Sequence, residues 1–142
     1  MRNFAILLLA SKAFAWEPSP AFLEKLALIE SDGVCTAVGD RGASLGRYQI
    51  QRSAWLDACS RNGYNIPYTK DNAFNYPIAT QVVKWHLEWI AQSLESRGRK
   101  PNDILVYMVY NKGLNGARRL GYNTQIDDPA MNRARQHLCP CK

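Results

Sequence analysis

Two short stretches decide how this chain is read: Ile29-Glu30-Ser31, and Gly39-Asp40-Arg41-Gly42-Ala43-Ser44-Leu45-Gly46-Arg47-Tyr48-Gln49-Ile50. Upstream of the first, Ser19-Pro20 supplies an N-cap and a proline at the first helical position, and Phe22, Leu23, Leu26 and Ile29 fall on one face. Glu30 is therefore placed at the end of a short helix with one buried face, a helix that should stop near Asp32-Gly33. The second stretch has no helical period. Gly39, Gly42 and Gly46 break it into short apolar pieces, as in a glycine-rich loop or small hairpin.

Helices dominate the rest. Ser53 and Gly63 bracket a helix carrying Trp55, Leu56 and Cys59, and Tyr64 to Tyr76, rich in Asn, Pro and Tyr, reads as a long surface loop. Pro77 opens the clearest helix, with Ile78, Val82, Val83, His86, Trp89, Ile90 and Leu94 at helical spacing until Gly98. Asn102 caps another, built on Ile104, Leu105, Met108 and Val109 and ending at Asn111-Lys112-Gly113. A brief helical stretch at 116–120 and a last helix from Asp128-Pro129 to Leu138 complete the chain. The expected fold is mainly α, in the α+β sense: a helical domain with a small β-hairpin.

The first fifteen of the 142 residues differ in character. Arg2 precedes an apolar run from Phe4 to Ala10, and Ala13-Phe14-Ala15 offers small residues at cleavage-site spacing, a signal-peptide pattern. The run falls far short of the roughly 20 residues that span a bilayer. A leader over 1–15 and one catalytic domain over 16–142, secreted or periplasmic and with no stable membrane insertion, are thus expected. Without Arg2 and Lys12 the chain keeps 16 basic and 12 acidic side chains, a formal +4. That charge suits polyanionic surfaces in general. No Lys/Arg block and no nucleic-acid motif is present, which argues against nucleic acid as a partner.

Cys35, Cys59, Cys139 and Cys141 allow three disulfide pairings in an exported chain. Cys35 with Cys59 comes first, because they flank the central segment and the Cys-Pro-Cys tail is too tight for an unstrained internal bridge. A zinc site would want Cys-x-x-Cys pairs, and these are absent; no metal is expected.

A carboxyl at a helix C-terminus beside Leu28 and Ile29 has the setting that raises a pKa: apolar neighbours and the negative end of the helix dipole. An acid held protonated near neutral pH is what glycosidic cleavage needs. Glu30-Ser31 followed by the glycine-bearing segment that closes on Gly46-Arg47-Tyr48-Gln49-Ile50 resembles the active-site signature of the lysozyme-like superfamily. Gly39 to Gly42 is similar to goose-type lysozymes, and Tyr48-Gln49-Ile50 through Ala54-Trp55-Leu56-Asp57 to invertebrate-type ones. Tyr110-Asn111-Lys112-Gly113 resembles the third motif of bacterial lytic transglycosylases. Three motifs in order span roughly residues 29–116. The loop is one residue longer than the usual transglycosylase spacing, Arg47-Tyr48 stands for its Leu-Met pair, and Gln51 stands where goose-type enzymes tend to offer a second acid.

The resemblance implies a muramidase cutting the β-1,4 bond between N-acetylmuramic acid and N-acetylglucosamine in peptidoglycan strands, with no cofactor. Hydrolysis is slightly favoured, the alternatives being a lytic transglycosylase that leaves 1,6-anhydro ends or a non-catalytic glycan-binding module. Glu30 would be the general acid. Asp40 would be a second carboxylate across the cleft, or a turn aspartate accepting backbone N–H bonds. Ser31, Gly46, Tyr48, Gln49, Tyr110 and Asn111 are the candidate sugar contacts, although Gln49 could instead tie the hairpin together and the glycines could serve only as turns. Arg41 and Arg47 could meet peptide carboxylates or stay solvated. Trp55, Trp85 and Trp89 are expected in the core rather than in a stacking platform. The sequence leaves oligomeric state open.

Overall fold

A computed structural model describes residues 15–139. The expected leader falls almost wholly outside them, as does Cys141. Six helices and a small sheet follow one another as α1 (Pro20–Ser31), β1 (Val38–Gly39), β2 (Ser44–Leu45), β3 (Ile50–Gln51), α2 (Arg52–Arg61), α3 (Lys70–Phe74), α4 (Tyr76–Glu95), α5 (Asp103–Arg119) and α6 (Pro129–Leu138). The protein is mainly helical with a three-stranded antiparallel sheet, β1-β2-β3, in which Val38 pairs with Leu45 and Leu45 with Ile50.

Side-chain caps start most of the helices. Ser19 Oγ accepts from the Phe22 amide at 3.0 Å, Asn102 Oδ1 from Leu105 at 3.0 Å and Asp128 Oδ2 from Met131 at 3.1 Å, each relieving an orphan donor of the first turn. α1 ends at Asp32, whose left-handed backbone (φ 54°) lets its N–H reach back to Ala27 and Leu28, and Gly33 follows at φ 79°. α4 is capped by Asn75 and begins one residue before Pro77.

Two local expectations need correction. Ser53 does not cap α2: β3 runs directly into the helix, Gln51 takes the cap position without a side-chain bond, and Ser53 lies in the first turn. The expected 64–76 loop contains α3, started by Thr69 and held down through Ala73, which is buried. The helix expected to end at Asn111-Lys112-Gly113 does break there, Gly113 taking φ 72° and ψ 164°, and the expected short helical stretch follows to Arg119, so α5 is two helical segments joined at a kink. Glycine allows that backbone value where an L side chain would be strained.

α4 is the central helix. It packs on α2, α3 and α5, α5 packs on α6, and α6 returns against α1. Phe22, Leu26, Trp55, Val82, Val83, Leu87, Ile90, Tyr107, Met108 and Met131 form one buried cluster through these contacts. Trp55 is fully enclosed and its Nε1–H donates to the Ile66 carbonyl at 2.8 Å, so the indole carries no unsatisfied donor. Trp16 is tied down as well: its indole donates to Asp103 at 2.9 Å and meets Phe22 edge-on. Cys35 and Cys59 stand unbridged to each other in this structure. They have different neighbours, Cys59 facing the core beside Ile66 and Cys35 lying beside Arg47. Among the described residues no helix is long and apolar enough to cross a membrane.

Candidate active site

A cleft of about 580 Å³ opens where the end of α1, the sheet, α2, α4, the α5 kink and α6 meet, and both Glu30 and Asp40 line it. Glu30 is the penultimate residue of α1. Tyr107 of α5, itself buried, donates its phenol to Glu30 Oε1 at 2.8 Å. Burial pushes the Glu30 carboxyl above its ordinary range. The Tyr107 hydrogen bond and the positive charge of Arg133 pull it back, and the negative charge of Asp40 pushes it up again. Burial, followed by the Glu30 charge, drives the Tyr107 phenol far above its own ordinary value, so it remains a donor.

Asp40 sits in the turn joining β1 to β2, with left-handed backbone at φ 49°. Its Oδ2 accepts from the Ser44 hydroxyl at 2.6 Å. The side chain is thus oriented by a β2 hydroxyl and not by turn amides, and it stays exposed on the cleft. A half-buried acid and an oriented carboxylate therefore share one cavity.

Comparison with models of known families, with curated proteins and with solved structures finds no match to this chain. Function has to be read from the site itself.

The other candidate contacts divide. Gln49, Tyr110 and Asn111 line the cleft. Gln49 is largely spent on the sheet, its Nε2 donating to Gly46 O at 2.9 Å and Ala37 O at 3.3 Å, and Tyr110 donates to Tyr48 O at 2.6 Å. Asn111 is exposed, and its side-chain amide is free of the bonds that occupy Gln49. Ser31, Gly46 and Tyr48 do not line the cleft. The Ser31 hydroxyl donates to Arg47 O at 2.7 Å and so ties α1 to the sheet. A Cβ on Gly46 would stand 2.3 Å from the Ala73 carbonyl, so this glycine is needed for the approach of α3 and not of a sugar. Tyr48 is 1% exposed, its phenol paired with Thr80 at 3.0 Å.

Arg47 is held by Glu24 at 2.7 Å and lies over the rings of Tyr48 and Tyr76, away from the cleft. Arg41 is exposed in the turn.

Several cleft residues carried no local sign of their role. Trp89, expected in the core, lines the cleft with His86. The Val82, Val83, Leu87, Ile90 and Leu94 stripe of α4 fills the core, and His86 and Trp89, three apart, stand on the adjoining stripe. Trp85 is half-buried and stacks on Tyr64, leaving Trp55 as the fully buried member of the three. Tyr107 lies one helical turn before Tyr110, a spacing that could have flagged it. Nothing in sequence links Arg61 or Arg133 to Glu30.

Proposed function

We propose that the chain is a lysozyme-like muramidase that hydrolyses the β-1,4 linkage between N-acetylmuramic acid and N-acetylglucosamine in peptidoglycan strands. The observation that carries this is Glu30: a carboxyl whose pKa burial raises, hydrogen-bonded by a buried phenol, in a cleft that also presents Asp40. Glu30 gives its proton to the bridging oxygen, the bond from the anomeric carbon to that oxygen breaks, and Asp40 stabilises the positive charge that develops at the ring. Water then adds to the anomeric carbon and loses its proton to the Glu30 carboxylate, which returns the site to its starting state. Secretion or a periplasmic location accords with a wall substrate, as does the basic charge.

One observation favours transglycosylation as the second reading. Gln51 provides no further acid, and one oxygen of Asp40 is already engaged by Ser44. In that reaction the muramic acid's own C6 hydroxyl attacks in place of water, and one acid suffices.

Mass analysis of the products separates the two. Hydrolysis leaves a reducing end, heavier by one water than a 1,6-anhydro end. We expect reducing ends, a loss of roughly 100- to 10,000-fold in kcat for Glu30→Gln with folding intact, and a marked loss for Asp40→Asn. Anhydro ends with little effect of Asp40→Asn would favour the transglycosylase. Undiminished turnover by folded Glu30→Gln, or no muropeptide release by the unmodified chain at any pH from acid to neutral, would overturn the enzyme assignment and favour a binding module.

A further inference from the structure

Past the two carboxyl groups the cleft runs onto side chains of α2 and α4 that the bond-breaking chemistry leaves unused: Asp57, Arg61, His86 and Trp89. The Arg61 guanidinium lies over the Trp89 ring, 4.1 Å from its centroid. Its ion-pair partner Asp57 is 3.7 Å away with 67% of its side chain exposed, a loose pair in water. Stacking uses the face of a guanidinium and leaves edge N–H donors in a plane suited to a carboxylate.

His86 stacks on Trp89 at 5.8 Å and meets Tyr110 at a tilt at 5.7 Å, and its Nδ1 is buried without a hydrogen-bond partner among the described residues. An unpaired buried nitrogen costs stability, and the ring that carries it lines the cleft wall. Burial, with the Arg61 charge adding to it, pushes the imidazole down to about 4, so near neutral pH it is an uncharged donor or acceptor. Arg133 lines the same cavity and makes no ion pair among the described residues, whereas Lys112 is already held by Asp128 at 2.7 Å.

We propose that the Arg61–Trp89–His86 end of the cleft is a carboxylate-recognition subsite, Arg61 pairing with an acidic group borne by the glycan strand and His86 hydrogen-bonding the polar group beside it. The assignment rests on the muramidase reading for its ligand, and it makes the site selective for carboxylate-bearing strands over neutral N-acetylglucosamine polymers. A muramyl strand offers carboxylates from two sources: its stem peptides and, where these have been removed, the lactyl group itself.

The test is equilibrium binding in the Glu30→Gln full-length chain, which leaves the probes intact. Three soluble tetrasaccharides serve: peptide-bearing muramyl, de-peptidated muramyl with a free lactyl carboxylate, and N-acetylchitotetraose. Arg61→Gln should weaken binding of the carboxylate-bearing probe about tenfold, ~1.4 kcal/mol, while changing the neutral one less than twofold. Loss confined to the peptide-bearing probe assigns the stem peptide, and loss on both muramyl probes assigns the lactyl group. Arg99→Gln removes a guanidinium that stacks on Tyr122 at 4.2 Å outside the cleft, and should alter none of the three. His86→Phe keeps the ring stack but removes the nitrogens, so it should weaken the same binding while the melting temperature holds or rises. Equal loss on all three probes, no loss on any, or no binding of any probe by the Arg61-intact chain overturns the subsite. A lower melting temperature with unchanged binding in His86→Phe overturns the part given to His86. Arg61-dependent binding alongside absent turnover in the unmodified protein would keep the subsite and overturn the muramidase reading instead.

Discussion

The hydrogen bond from Tyr107 to Glu30 works against the burial around it. A phenol donating to a carboxylate favours the charged form, so it holds the Glu30 pKa lower than burial alone would. Tyr107→Phe removes that donor and leaves the rest of the ring in the core. The Glu30 pKa should then rise further, and because the acid must be protonated to act, the alkaline limb of the pH–activity profile should move to higher pH. The profile of muropeptide release measures this directly; a limb that stays or moves to lower pH contradicts the role given to Tyr107. The place of Glu30 at a helix end was legible in the sequence because the residues that build that helix precede it, although Leu28, read as part of its apolar setting, is exposed. Tyr107 was not, since it lies 77 residues away.

At the scale of elements, the sheet is pinned from two sides. Ser31 holds it from α1 through the Arg47 carbonyl, and Tyr110 holds it from α5 through the Tyr48 carbonyl. Gly46 allows a third contact, since α3 brings the Ala73 carbonyl where a side chain would have to go, and its φ of 77° is strained for any L residue. Gly46→Ala should therefore cost on the order of 3 kcal/mol and loosen the cleft wall. Gly42→Ala, at φ 94° but facing open space, carries only the backbone penalty, about 1 kcal/mol. Urea unfolding of the two variants distinguishes these outcomes, and equal effects would show that the α3 contact contributes nothing. Glycine spacing announced a hairpin here. It could not announce α3, whose five residues are too few for a hydrophobic period to stand out.

For the whole molecule, two half-buried titratable groups of the cleft, His86 and Glu30, act on stability in opposite senses. His86 is pushed down to about 4 from 6.5, so between those values the unfolded chain binds a proton that the folded chain excludes. Stability is lost as pH falls below about 6.5, the loss reaching roughly 3 kcal/mol at most. Glu30 is raised, so the folded chain keeps a proton that the unfolded chain releases, and that contribution fades as pH rises from the ordinary glutamate range through the Glu30 pKa. His86→Phe should therefore flatten the acid side of the stability profile. Unfolding free energies between pH 4 and 7 report it, and an unaltered acid slope would mean that His86 is not excluded from protonation in the folded state.

The sequence by itself determined the order and type of the main helices, their caps at Ser19, Asn102 and Asp128, the glycine-built hairpin, and the place of Glu30 at a helix end. Each of these depends on residues within one or two turns of one another, so each can be read locally. Tertiary structure alone decided which side chains meet. Tyr48, read as a sugar contact, turned inward because its ring fills the space beside Thr80, and Trp89, read as core, packs partly buried against the core at its edge and lines the cleft as well, because the aliphatic stripe of α4 fills the core's interior. Arg133 came to act on Glu30 because α6 packs back on α1. Helix packing chooses among faces of similar hydrophobicity by shape, and shape is a property of the assembled helices, not of any one segment.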